Sequence, residues 1–307
     1  MPRVNMAVNL GGIAMQNPIC TASGTFGAGK QFESFFDVST LGAITCKGAS
    51  AKPWRGNAQP RMTETTSGIM NSVGLQNPGV EAFVKEYGDY LTDLDKRGCR
   101  VICQVVGHSI EEYEEALDLF ESLAPFAAGF ELNISCPNVS KGGASVGATP
   151  ESAAEVVKAC RPRTKRPLLV KLAPHNVAKI ARACEDAGAD ALTLINAIPA
   201  MAIDVNTHKG KLSRATAGLS GPAIHPIAVR MVWEAAQAVD IAINGVGGVS
   251  SGADAAEMIL AGATTVSVGS ASLVDPLAAQ RVLTELTQWA QRQGVTDITE
   301  LIGAVQA

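Results

Sequence analysis

Aromatic residues make up only 5% of the 307 residues and charged residues only 18%, and the chain has no apolar run of about 18 residues. The last absence excludes a membrane-spanning helix. No basic stretch is long enough to track a nucleic-acid backbone, and the formal net charge is −4, so nucleic acid is not expected as a partner. The N-terminal segment lacks the apolar stretch of a signal peptide, because Asn5, Asn9, Gln16 and Asn17 interrupt it. Cysteine occurs seven times, an odd number, and without a Cys-x-x-Cys pair. Neither a disulfide framework nor a metal or iron–sulfur site is expected from that pattern. The protein is expected to be cytoplasmic.

What the chain does have is 47% hydrophobic residues and 30 glycines. A core of Ala, Val, Ile and Leu with many glycine turns points to a parallel α/β protein. Short apolar runs at 19–23, 43–47, 101–105, 129–133, 168–172, 191–195, 241–244 and 265–268 read as buried strands. Helical patterns lie between them: 110–123 after Ser109, 150–159 with Thr149 as cap and Pro150 first, 176–187 ending at Gly188, then 223–239, 251–261 and 276–293. Eightfold βα alternation predicts a (β/α)8 TIM barrel, one α/β domain over residues 1–307. The alternative is an open doubly wound sheet. Ser23-Gly24-Thr25-Phe26-Gly27 after the first strand is not the Gly-x-Gly-x-x-Gly turn that such a sheet would carry. Excursions at 48–79 and 199–221 follow strand ends and are expected to cover the C-terminal face, where a barrel keeps its active site. Segments 4–9 and 13–16 around Gly11-Gly12 read as a hairpin plugging the opposite end.

Polar residues gather at the strand ends: Ser23, Lys47, Gln104, Asn133, Lys171 and Asn196. In this fold such positions converge on one pocket. The stretches Asn244-Gly245-Val246-Gly247-Gly248 and Val268-Gly269-Ser270-Ala271 read as glycine loops before helices, the arrangement that cradles a phosphate. Lys171 lies inside the apolar run Leu168-Leu169-Val170-Lys171-Leu172. A buried ammonium needs an anionic partner, either a ligand ring that gains negative charge or a carboxylate such as Asp190 or Glu131. Cys136, just past a strand end and beside Pro137, could move a proton or attack a carbon. His108, His175, His208 and His225 are scattered, which argues against an acyl-transfer pair. Asn71, Asn77, Asn133, Asn138 and Asn196 offer paired donors and acceptors that suit a flat heterocycle, with a turn role as the alternative for Asn77.

Several stretches together resemble the dihydroorotate dehydrogenases: Ala22-Ser23-Gly24-Thr25-Phe26-Gly27, Thr45-Cys46-Lys47-Gly48, Asn71-Ser72-Val73-Gly74-Leu75-Gln76-Asn77-Pro78-Gly79, Asn133-Ile134-Ser135-Cys136-Pro137-Asn138, Val170-Lys171-Leu172 and Gly245-Val246-Gly247-Gly248. The likeness spans nearly the whole chain. A cysteine at 136 resembles the soluble class 1 enzymes, and Gly-Leu-Gln-Asn-Pro-Gly resembles class 1B more than the fumarate-using class 1A. The resemblance implies oxidation of (S)-dihydroorotate to orotate in pyrimidine (UMP) biosynthesis, with FMN as hydride acceptor. It also implies a partner subunit carrying FAD and a 2Fe–2S cluster that passes electrons to NAD, around a homodimeric core within a heterotetramer. By the same resemblance Cys136 is the base for the C5 proton, Lys171 stabilises the reduced flavin, and Lys47 touches both flavin and substrate carboxylate. Ser23, Gly48, Gln104, Asn133, Ile195 and Gly221 would line the flavin, and Gly247, Gly248, Gly269 and Ser270 would hold its phosphate. Asn71, Ser72, Val73, Gly74, Leu75, Asn133, Asn138, Asn196 and Ala197 would hold the pyrimidine.

Two positions depart from the family's usual residues. Gln104 stands where Asn is usual, and Ala197 where Thr or Ser is usual. Loss of one ordinary hydrogen bond at Ala197 would weaken substrate binding by roughly 0.5–1.5 kcal/mol. Competing readings are a class 1A-like enzyme, another flavin pyrimidine oxidoreductase, and a non-redox phosphate-binding lyase with Lys171 as a Schiff-base lysine.

Overall fold

The computed structural model describes residues 4–135 and 146–306. The chain opens with a hairpin, β1 (Val8–Leu10) and β2 (Ile13–Met15), turned by Gly11-Gly12. Gly11 has φ +56, and a Cβ there would lie 2.4 Å from the carbonyl oxygen of Asp190. Only glycine permits this approach to the strand entrances, so the hairpin closes the N-terminal end of the barrel as the sequence predicts.

The barrel begins with β3 (Ile19–Thr21) and β4 (Ala43–Thr45). The first excursion follows and forms the hairpin β5 (Met62–Thr65) and β6 (Gly68–Asn71). Next come β7 (Arg100–Val105), β8 (Ala127–Asn133), β9 (Leu168–Lys171) and β10 (Ala191–Leu194). The second excursion carries β11 (Ile198–Ala200), β12 (Ile203–Asp204), β13 (Lys209–Gly210) and β14 (Ala217–Ser220). The chain returns to the barrel with β15 (Ala242–Val246) and β16 (Thr265–Val268). The eight parallel strands close in the order β3-β4-β7-β8-β9-β10-β15-β16, with β16 pairing back onto β3. Each of the eight apolar runs in the sequence becomes one of these strands. They are almost wholly buried, because helices cover them outside and side chains fill them inside.

The two excursions join in one antiparallel sheet of order β11-β14-β6-β5, in which Asn71 lies opposite Gly218 and Met62. Segments more than a hundred residues apart in sequence thus form one cover over the C-terminal face.

The helices are α1 (Ser23–Phe26), α2 (Val80–Lys96), α3 (Ile110–Leu123), α4 (Pro150–Cys160), α5 (Val177–Asp186), α6 (His225–Ala236), α7 (Gly252–Leu260), α8 (Ala271–Val274) and α9 (Ala278–Gln293). Thr149 and Ser251 cap α4 and α7 through reciprocal capping boxes. Helix α2 has no capping side chain, since Gly79 precedes it, and Gly88 weakens its middle. Its formation comes from burying Val80, Phe83, Leu91 and Leu94. No helix among the described residues is long and apolar enough to cross a membrane.

Candidate active site

The strand ends bring most of the predicted residues to one face. Ser23 is the first residue of α1, and Lys47 and Gly48 lie just beyond β4. Gln104 is in β7, and Asn133 and Lys171 end β8 and β9. Ile195, Asn196 and Ala197 follow β10, Gly221 follows β14, Gly247 and Gly248 follow β15, and Gly269 and Ser270 follow β16. Asn71 ends β6 in the cover, and Ser72, Val73, Gly74 and Leu75 follow it. Cys136 and Asn138 lie outside the described residues.

Lys171 is 7% exposed. Among the described residues no hydrogen bond or ion pair holds its ammonium. Burial pushes its pKa below the ordinary lysine value, and the negative charge of Glu131 offsets this in part. Asp190, the other carboxylate considered, sits at the opposite end of the barrel. There its Oδ2 accepts from Arg161 at 2.5 Å and from the Leu168 N–H at 2.8 Å. Asp190→Asn is therefore expected to lower Tm and leave ligand affinity unchanged; calorimetric melts and ligand titrations on one preparation check this.

The interior beneath Lys171 is a polar network. Glu131 Oε1 accepts from Gln104 Nε2 at 2.6 Å, and Oε2 accepts from Thr193 Oγ1 at 2.6 Å. Glu131 is on β8 and Thr193 on β10, with β9 between them, so this bond crosses the barrel interior. Gln104 Oε1 accepts from Asn133 Nδ2 at 3.2 Å. Gln104 packs so closely on Gly48 that a Cβ there would lie 2.6 Å from Gln104 Oε1. The longer side chain at 104 thus reaches Glu131 and Asn133 at once. The Tyr113 hydroxyl donates to the Asn133 carbonyl at 2.6 Å, holding the end of β8.

The loop after β6 is fixed by residues with no evident role in the sequence. Asn57 Nδ2 donates to the Ser72 carbonyl at 3.0 Å, and its backbone N–H donates to the Val73 carbonyl at 3.0 Å. Leu75 has φ +53, a left-handed conformation that is strained for leucine and sits in the candidate site. Asn77, a ligand candidate, instead serves this loop. Its Oδ1 accepts from the Ser50 N–H, the Ser50 hydroxyl and the Gly79 N–H, and its Nδ2 donates to the Leu75 carbonyl.

On the phosphate side one expectation changes. The glycine stretch read as a loop from Asn244 onward begins at Gly247, because β15 continues to Val246. Gly245 lies within the strand, where a Cβ would come within 3.1 Å of Ala263 Cβ and Met258 Sδ, so it permits close helix packing. Asn244 is consequently in the barrel interior. His225 Nδ1 donates to the Gly247 carbonyl at 2.9 Å and so orients the turn. The cysteines at 20, 46, 99, 103, 160 and 184 are buried and unpaired. Burial pushes the thiols of Cys20, Cys160 and Cys184 up to about 12, which makes them poor nucleophiles at neutral pH.

The sequence profile described as dihydroorotate dehydrogenase matches residues 5–289. The chain belongs to the dihydroorotate dehydrogenase family. The protein named dihydroorotate dehydrogenase B (NAD(+)), catalytic subunit, of Geobacter metallireducens is 46% identical over 308 residues, covering 100% of both chains. Its namesake in Pelobacter propionicus is 46% identical over 304 residues, covering 98% of this chain and 99% of that one. The one in Geobacter sulfurreducens is 45% identical over 308 residues, again covering 100% of both.

Proposed function

We propose that this chain is the FMN-containing catalytic subunit of a cytoplasmic class 1B dihydroorotate dehydrogenase, one barrel domain that oxidises (S)-dihydroorotate to orotate. The observation that carries the reading is Lys171: a buried ammonium without a hydrogen bond or ion pair among the described residues, at the end of a strand facing the covered end of the barrel. A side chain so placed fits a flavin edge that gains negative charge. The turn at Gly247-Gly248, with α7 next in the chain, and the turn at Gly269-Ser270, directly before α8, fit its phosphate. FMN, when bound, supplies the hydride acceptor.

The chain's own residues do the rest. Cys136, directly after the buried Ser135, takes the C5 proton of the substrate. Lys47 holds the substrate carboxylate, and Lys171 presents positive charge to the ring. Ser23, Gly48, Ile195 and Gly221 line the ring, with Gln104 acting through Asn133. Asn71, Asn133, Asn138, Asn196 and Ala197, with the loop Ser72, Val73, Gly74 and Leu75, hold the pyrimidine and keep water from it. Electrons leave through a partner subunit carrying FAD and a 2Fe–2S cluster, bound to a homodimer of this chain.

The purified chain is expected to absorb near ~450 nm and to release FMN on denaturation, as flavin chemistry requires. Alone, it should reduce artificial dyes with dihydroorotate but not NAD. A colourless protein would favour the lyase reading. Efficient NAD reduction without a partner would remove the two-subunit assignment, and efficient turnover with fumarate would move it to class 1A.

A further inference from the structure

Glu131 is 1% exposed, and both of its carboxylate oxygens accept hydrogen bonds, from Gln104 and from Thr193. A carboxylate accepting on both oxygens has no proton to offer. Gln104 must therefore turn its amide nitrogen toward Glu131 and its oxygen away. That oxygen accepts from Asn133 Nδ2, which leaves Asn133 Oδ1 on the far side. The Ser135 hydroxyl donates to Asn133 Oδ1 at 2.6 Å. With its one proton engaged, Ser135 Oγ accepts from Asn196 Nδ2 at 2.5 Å. Asn196 Oδ1 in turn accepts from the Ala197 N–H at 2.8 Å.

Every link runs in the same sense, from the Ala197 N–H, which can only donate, to Glu131, which accepts on both oxygens, with a long contact from the Ser135 N–H to Asn133 Oδ1 at 3.4 Å in the same sense. An isolated carboxamide exchanges oxygen and nitrogen with almost no change of shape. Within this chain, one flip would set donor against donor or acceptor against acceptor in a buried site. A second arm ends away from the pocket: Thr193 Oγ1 accepts from Asn244 Nδ2 at 3.4 Å, and Asn244 Oδ1 accepts from Thr265 and Ser267 hydroxyls. It locks Glu131 from the other side.

We propose that Glu131 is a positioning residue that fixes the amide orientation of Gln104 and, through it, of Asn133, while the Ala197 N–H holds Asn196 in the matching sense, so that the pocket offers N–H donors to carbonyl and carboxylate oxygens of its ligand. The nitrogens of Asn133 and Asn196 each retain a second N–H with no acceptor among the described residues. A pyrimidine bearing two carbonyls and a carboxylate complements that pattern. The inference rests on the pyrimidine reading of the pocket and adds the group that dictates its polarity.

Glu131→Gln nearly preserves shape and removes only the obligatory acceptor. Three quantities are measured on it: the melt, the FMN titration of the apoprotein, and the calorimetric titration of FMN-loaded protein with orotate. The melt and FMN stoichiometry are expected to hold while the orotate Kd weakens by about tenfold or more, the loss when a donor facing an oxygen becomes an acceptor. Adding Gln104→Glu restores an obligatory acceptor beside Asn133 and is expected to recover most of the lost affinity. If Glu131 only filled space, the double variant would bind more weakly than the single one, and that result overturns the proposal. So does an unchanged orotate Kd in Glu131→Gln. Should that variant fail to hold FMN, the double variant carries the test: an orotate Kd near that of the unaltered protein is expected, and a Kd weaker by about tenfold or more overturns the proposal. A wild-type protein that holds FMN but binds no orotate would strike the pyrimidine reading itself.

Discussion

Replacing Cys136 with alanine is expected to slow reduction of the bound flavin by dihydroorotate by about 10²–10⁴-fold, the usual contribution of a positioned general base. FMN should stay bound, because the thiol acts on substrate. The role is the one that the family resemblance implies for Cys136, and the other thiols, at 20, 46, 99, 103, 160 and 184, are buried. In sequence Cys136 directly follows Ser135, whose hydroxyl links Asn133 to Asn196. Cys136→Ser should retain slightly more activity than alanine, displaced to higher pH, since a hydroxyl is a far weaker acid than a thiol. Stopped-flow traces of flavin absorbance measure both variants, and wild-type rates in Cys136→Ala at neutral pH would reject the role.

Lys171→Met should lower the FMN midpoint potential by about 60–90 mV. One electrostatic contact to developing negative charge is worth ~2.7–4 kcal/mol, and 30 mV corresponds to 1.4 kcal/mol for a two-electron couple. The same substitution should stabilise the apoprotein. Burial pushes the Lys171 pKa down, chiefly by desolvation, so the unfolded chain binds the proton more tightly than the folded one. Charge at 171 then opposes folding of the apoprotein below the ordinary lysine pKa, and this penalty fades as pH rises toward that value. Removing the ammonium is expected to raise the apoprotein Tm by roughly 1–3 °C at neutral pH. A structural ion-pair lysine would behave in the opposite way, with an unchanged potential and a lowered Tm.

The barrel was legible because each strand is a short apolar run bounded by polar or glycine residues, and because parallel strands buried on both faces need no alternation. Lys171 stood out for the same reason, as a charge inside such a run. Helix α2 was harder to see, with glycine where a capping side chain is usual and another at its centre. Asn244 read as part of a loop because Gly245 follows it, yet that glycine serves helix packing within the strand. Glu131 gave no sign of being a hub. Its partners Gln104 and Thr193 are 27 and 62 residues away in sequence, and only closure of the barrel brings them together. Asn57 likewise gains its role only when the cover folds back on itself. Local patterns report local burial, whereas contacts across the barrel depend on strand order and register.

The most direct test is anaerobic mixing of the purified chain with dihydroorotate while flavin absorbance near ~450 nm is followed, the band that two-electron reduction removes. The band should bleach within the mixing experiment, one flavin per chain, with orotate appearing in equal amount and no added acceptor. A flavin that stays oxidised in the presence of excess dihydroorotate, in protein that is folded and FMN-loaded, would contradict the assignment.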